Sequence, residues 1–260
     1  MEKVLKNSWA LFLGMGALML AYGFQSSLLG VRAVKEEFSL TETGFMMSGY
    51  FVGYFIGAKT IPQIISRVGH IRVFAAFASV ASLVVLIHAV YVSPFVWFLL
   101  RVLTGVSMVS IYTVAESWLN DRASNKNRGS VLSVYMVILY GAMGLGMFLL
   151  NFSDPLNFEP FILISVITSL ALIPILLTKR KAPTFKKIST MSLQEAFISS
   201  PFGMVSSFFL WNYSIGIIYF TCCVCSYYEL FNFSNIISYF FTCNLWCNLT
   251  VANWKIVRHV

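Results

Sequence analysis

Long apolar runs alternate with short polar segments along the first 178 residues. Each run is about 20 residues, the length needed to cross a bilayer as a helix. The pattern predicts helices over about 8–30, 43–61, 73–92, 95–116, 130–151 and 161–178. Between them lie a mixed-charge loop from Arg32 to Glu42 and a tight connection at Ser93-Pro94. A polar basic segment follows from Asn120 to Arg128, and then a turn from Ser153 to Pro160. Within the second run, Gly49, Gly53 and Gly57 recur at every fourth position. One bare stripe on a helix lets a neighbouring backbone approach closely in lipid. That run is expected to break at Pro62 into a basic turn, Ser66-Arg67-Val68-Gly69-His70-Ile71-Arg72.

Past the sixth run, residues 179–200 read as a basic cytoplasmic linker that opens Lys179-Arg180-Lys181, with a surface helix starting near Ser192. A seventh helix is expected over 201–221. The tail, 222–260, is atypical: it holds all five cysteines and is crowded with Asn, Phe, Tyr and Ser. Its cysteine spacing fits no zinc pattern. A shifted reading frame accounts for this change of composition most simply, with a partial eighth helix around 231–251 as the alternative.

Composition and charge narrow the class. Hydrophobic residues make up 58% of the chain and charged residues 11%, too few to clothe a soluble core of this size. The formal charge of +8 raises the question of nucleic acid. The basic residues, however, sit in the segments between apolar runs and not on one face, so no nucleic-acid partner is expected. With the N-terminus inside, Lys3, Lys6, Lys59, Arg67, Arg72, Arg122, Lys126, Arg128 and the 179–187 cluster all fall on the cytoplasmic side. The outer loops keep only Arg32 and Lys35. The expectation is therefore an all-α polytopic protein of a bacterial inner membrane, N-terminus cytoplasmic, with the run from Ser8 as an uncleaved first span.

The turn and the fourth run together resemble the major facilitator superfamily. That family's signature between helices 2 and 3 is a glycine, an acid, then Arg-x-Gly-Arg and a further basic residue. Arg67, Gly69 and Arg72 fit it, while Pro62 and Ser66 replace the glycine and the acid. Arg101-Val-Leu-Thr-Gly105 is similar to the family's helix-4 arginine followed by glycine. The resemblance implies residues 1–178 as a six-helix N-terminal bundle, to be followed by a second half. It also implies a cytoplasmic gate of Arg67, Gly69, Arg72, Glu116 and Arg122, with Glu116 paired to Arg72.

A substrate cavity is expected where polar groups recur on one helical face. Arg101, Gly105, Met108 and Tyr112 share such a face on helix 4, and Tyr22 and Gln25 share one on helix 1. A buried arginine costs about 2.5–3.5 kcal/mol at a helix centre, so it should meet a cavity or a partner. Snorkelling to the nearer interface is the other reading. Gly105, Gly141 and Gly144 join Gly49, Gly53 and Gly57 as packing positions. His88 reads as an interfacial residue near the outer end of helix 3.

The chain carries no phosphate-cradling glycine loop, no nucleophile elbow and no metal-ligand spacing, so neither an enzyme nor a cofactor is expected. These features predict secondary transport of a small solute by alternating access, with or without a coupling ion, in a chain that is truncated and inactive alone. A non-transporting scaffold or subunit, and a half-size transporter that dimerises, are the alternatives.

Overall fold

Glycine and proline decide where the apolar runs become separate rods. In the computed structural model, which describes residues 2–124 and 127–177 with three isolated positions beyond, side chains are described from Ser8 onward. The linker over 179–200, the helix over 201–221 and the tail from 222 lie outside the described residues. The rods are α1 (Glu2–Lys35), α2 (Leu40–Val68), α3 (His70–Val90), α4 (Pro94–Arg122), α5 (Arg128–Phe148), α6 (Glu159–Leu170) and α7 (Leu172–Leu176). A 3-10 turn, Leu149–Phe152, ends α5. Among the described residues there is no strand, and five of the helical spans are long and apolar enough to cross a membrane. At 29 residues α2 is as long as α4, but it trades apolar side chains for glycines, tyrosines and Lys59.

Several boundaries differ from the sequence expectation. α2 does not break at Pro62; it runs on to Val68. Ending it there would strand carbonyls in an apolar surround, and a proline inside a packed membrane helix is the lesser penalty. The whole connection to α3 is one residue, Gly69, at φ 94 and ψ 158, a region that glycine alone occupies readily. α4 runs six residues past Glu116, so that acid lies inside the helix and not at its end. The sixth rod is split, because Pro174 has no N–H to give the carbonyl of Leu170, where α6 stops. At the other end Ser39 caps α2: its hydroxyl accepts from the Glu42 amide, and the Glu42 carboxylate accepts from the Ser39 amide at 2.8 Å.

Two close crossings build the bundle. On α2 and α4, a Cβ on Gly53 would strike the carbonyl of Val102, and one on Gly105 the carbonyl of Tyr50. On α1 and α5, a Cβ on Gly146 would strike the carbonyl of Leu20, and one on Gly23 the carbonyl of Met143. The correspondence is residue for residue. Taken in chain order, the first three helices against the next three, Leu20 and Gly23 match Val102 and Gly105, while Tyr50 and Gly53 match Met143 and Gly146, with the same three-residue spacing kept in each helix. An internal repeat therefore relates α1 to α4 and α2 to α5, an architecture familiar from transporters. In both crossings the contacts climb in step along the two chains, so the paired helices run parallel. α3 packs on α4 and α6, and α6 packs back on α1, closing the ring.

The core falls into two clusters. One centres on Phe24, Met46, Trp97 and Phe161, the other on Met15, Phe74, Trp118 and Tyr135. On α4 they meet between Leu100 and Met108, the stretch that carries Arg101, Thr104, Gly105 and Ser107. A polar layer thus crosses the middle of an apolar bundle.

Candidate functional site

The mid-bundle layer is held where the α2/α4 crossing lets side chains converge. Gly49 admits Phe98 and the Arg101 stem, and Gly105 admits the Tyr50 backbone. Arg101 is 3% exposed, so it does not snorkel. Its guanidinium carbon lies 5.1 Å from the centre of the Tyr50 ring, a cation–π distance. The Tyr50 ring in turn lies 5.5 Å from that of Tyr22 on α1. Arg101 Nε and Nη1, Gln25 Nε2 and His88 Nε2 are all buried without a hydrogen-bond partner among the described residues.

Tyr22 and Tyr112 are half-buried, and Tyr112 donates its hydroxyl to the Met19 sulfur at 2.9 Å. Met108 belongs elsewhere: it is 3% exposed inside the apolar core, so the expected stripe from Arg101 to Tyr112 does not line one cavity continuously. Sequence reasoning missed Tyr50, which bridges Arg101 and Tyr22. The signal was present, since Tyr50 follows Gly49 directly and the stripe fixes that face. His88 lies in the last turn of α3. It is fully buried, with Nδ1 2.8 Å from the Val84 carbonyl and its ring 5.8 Å from that of Trp97. The carbonyl only accepts, so Nδ1 carries the proton and Nε2 presents a lone pair.

The expected gate residues are placed at the Trp118 end of the bundle but are not drawn together. Arg67 and Arg72 flank Gly69 and are exposed. Glu116 is half-buried and turns inward, within electrostatic reach of Tyr54, Tyr112 and Tyr135. No ion pair joins Glu116 to Arg72 among the described residues. The reason is geometric: α4 continues as helix past Glu116, so the acid follows the helix face into the bundle. The turn is instead tied to α4 by His70, whose Nε2 lies 3.1 Å from the Ser117 hydroxyl. Arg122 stacks over Trp118 at 5.2 Å.

Of the packing glycines, Gly49, Gly53, Gly57 and Gly105 all lie against a neighbouring helix. Gly141 does not, because a Cβ there meets open space. On α5 the close contact belongs to Gly146, while Gly144 is half-buried. At the Trp97 end, Arg32 is no loop residue. It ends α1 at 5% exposure, pairs with Glu36 at 3.1 Å, donates to the carbonyls of Pro155 and Leu156, and lies 5.3 Å from the Phe161 ring.

Known proteins resemble this chain in sequence or in fold. The uncharacterized MFS-type transporter YcaD of Escherichia coli O139:H28 (strain E24377A / ETEC) is 29% identical over 140 residues, 53% of this chain and 36% of that protein. YcaD of Escherichia coli O9:H4 (strain HS) matches to the same extent. The match thus spans about a third of these relatives' length. A solved structure of the nucleoside transporter NupG, in a mutant form, superposes with a TM-score of 0.69 over 96% of this chain and 68% of that one. At 13% identity that likeness is one of fold. The sequence model of the Major Facilitator Superfamily matches residues 11–251, and the chain, an integral membrane protein of apolar helices, belongs to that family.

Proposed function

We propose that this chain forms a six-helix half of a secondary transporter, which moves a small solute across a bacterial inner membrane by alternating access. The observation that carries the reading is the pair of repeat-related glycine crossings with a polar layer between the two apolar clusters. Transporters of this build place their site near the membrane midplane at a repeat interface and rock rigid bundles around it. Tyr22, Gln25, Arg101 and Tyr112, with Tyr50, would face the solute. Arg67, Gly69, Arg72, Glu116 and Arg122 would serve the cytoplasmic gate. On this reading the N-terminus is cytoplasmic, and the basic segment 179–200 links the bundle to helix 7.

The test is redistribution of solutes. Cells expressing the chain are compared with cells expressing an unrelated membrane protein at the same level, by mass spectrometry of cell and medium extracts. At least one small solute should partition differently while both proteins remain in the membrane. Identical profiles would favour the scaffold alternative and overturn the transport reading.

A further inference from the structure

None of the described acids neutralises Arg101. Among the described residues, Glu36, Glu37, Glu42, Asp154 and Glu159 lie at the Trp97 end of the bundle, in loops or first and last turns. Asp121 lies at the opposite end. Of the described acids Glu116 alone lies away from a helix end, and it sits fifteen residues further along α4, about 22 Å at the helical rise. His88 is near enough for the arginine's charge to act on its ring, but a neutral imidazole supplies no counter-charge. A guanidinium buried without a counter-ion is strongly unfavourable, so something must offset it.

Packing does not require a cation here. In the repeat-related crossing, the position equivalent to Arg101 is Met19, one residue before Leu20, and the equivalent of Tyr50 is Met143. The same backbone approach is filled there by two methionines, with Met19 1% exposed. The arginine–tyrosine pair is thus an addition to one crossing and not a demand of the geometry. Arg101 also keeps an open donor on each edge of its fork, at Nε and at Nη1. That is the arrangement that receives an oxyanion.

We infer that Arg101, stacked on Tyr50 with Tyr22 beyond it, is an oxyanion subsite, and that the transported solute carries a carboxylate or phosphate group. This rests on the transport reading above and narrows its substrate class. The anion supplies the counter-charge that the described residues do not. Tyr50 holds the guanidinium flat, and the half-buried Tyr22 forms the approach.

The experiment uses the full chain in lipid nanodiscs and reads melting temperature by tryptophan fluorescence. Benzoate, succinate, lactate, inorganic phosphate and glycerol 3-phosphate are each tested at an ionic strength matched with sodium chloride. The neutral controls are benzamide, succinamide, lactamide and glycerol. At least one anion should raise the melting temperature by several degrees where its neutral counterpart does not. The shift should vanish in Arg101→Gln and survive in part in Arg101→Lys. Carboxylates acting alone, or phosphates acting alone, identify the class. If no anion acts, if neutral analogues act equally, or if Arg101→Gln keeps the full shift, the inference is overturned. Should Arg101→Gln fail to fold, the anion-against-neutral comparison on the unaltered chain still decides. A neutral probe that acts through Tyr22 or Gln25 would sink the anion assignment and leave the transport reading standing. Unchanged solute profiles in the expressing cells would remove the transport reading itself.

Discussion

The α2/α4 and α1/α5 crossings share one backbone solution and differ in what fills it. Each brings two parallel helices together through a pair of glycines, Gly53 with Gly105 and Gly23 with Gly146. Beside the first pair stand Arg101 and Tyr50; beside the second stand Met19 and Met143. Sulfur-bearing chains fill irregular gaps and carry no charge, which suits a crossing that only has to hold. A buried cation suits a crossing that also has to bind. The difference separates scaffold from site within one repeated unit.

The comparison breaks first if the glycines are not equivalent. Gly53→Leu and Gly146→Leu each push a side chain into a carbonyl of the partner helix, which cannot give way as a side-chain tip would. Each should lose about 3 kcal/mol or more, read as loss of monodisperse protein in size-exclusion chromatography. Gly141→Leu, facing open space, should stay within about 0.5 kcal/mol. Tolerance of leucine in one crossing and not the other would show that the repeat is one of shape only.

Exchanging the fillers sharpens the point. Met19→Arg introduces the charge where no subsite receives it and should lose about 2.5–3.5 kcal/mol, measured by unfolding in mixed micelles. Arg101→Met makes the two crossings alike and should gain about 1–4 kcal/mol, as replacing buried ionic groups by apolar ones often does. Stability rising while anion binding disappears is the signature of a residue kept for function. If Arg101→Met instead lowers stability, the arginine is a packing element after all.

Much of this is legible in the amino-acid sequence alone. The stripe Gly49, Gly53, Gly57 reads directly as a packing face, and all three are buried against α4. Burial of Arg101 follows from its depth in an apolar run. The repeat is hidden because related positions share little beyond the glycines; nothing in a line of letters aligns Met19 with Arg101. Pro62 misleads because its rule comes from helices in water, where a broken end is solvated. Gly141 misleads because spacing along α5 does not say which face meets α1. Glu116 and Arg72 look paired only while helix 4 is taken to end at Glu116. Once α4 runs on to Arg122, the acid turns inward with its face.

At the Trp97 end, Arg32 offers a second buried arginine for contrast with Arg101. Its charge is answered by Glu36, and its remaining donors by loop carbonyls. It should therefore behave as structure. Arg32→Gln should lose about 1.5–3 kcal/mol, the range for charged hydrogen bonds, and leave anion-induced shifts in melting temperature unchanged. A loss of those shifts would move the oxyanion subsite away from mid-bundle.

The smallest effect belongs to the seam that joins the two crossings. Ser82 on α3 meets the Ser165 hydroxyl at 2.7 Å, the Ser165 carbonyl at 3.2 Å and the Ser169 hydroxyl at 3.0 Å. Because α3 packs on α4 and α6 on α1, these bonds tie the arginine-bearing unit to the methionine-bearing one. Three contacts on one hydroxyl suggest a large penalty for Ser82→Ala, but two features lower it. Serines on a helix can turn back to the carbonyl four residues earlier, so Ser165 and Ser169 need not be left unsatisfied. Interhelical hydrogen bonds in membranes average about 0.6 kcal/mol in double-mutant cycles, because the unfolded chain in lipid also finds partners. Ser82→Ala should thus cost about 0.6 kcal/mol, below Arg32→Gln in the same unfolding titration. If the order reverses, the hydroxyl seam and not the arginine clasp holds the two units together, and glycine packing alone does not set the stability of either crossing.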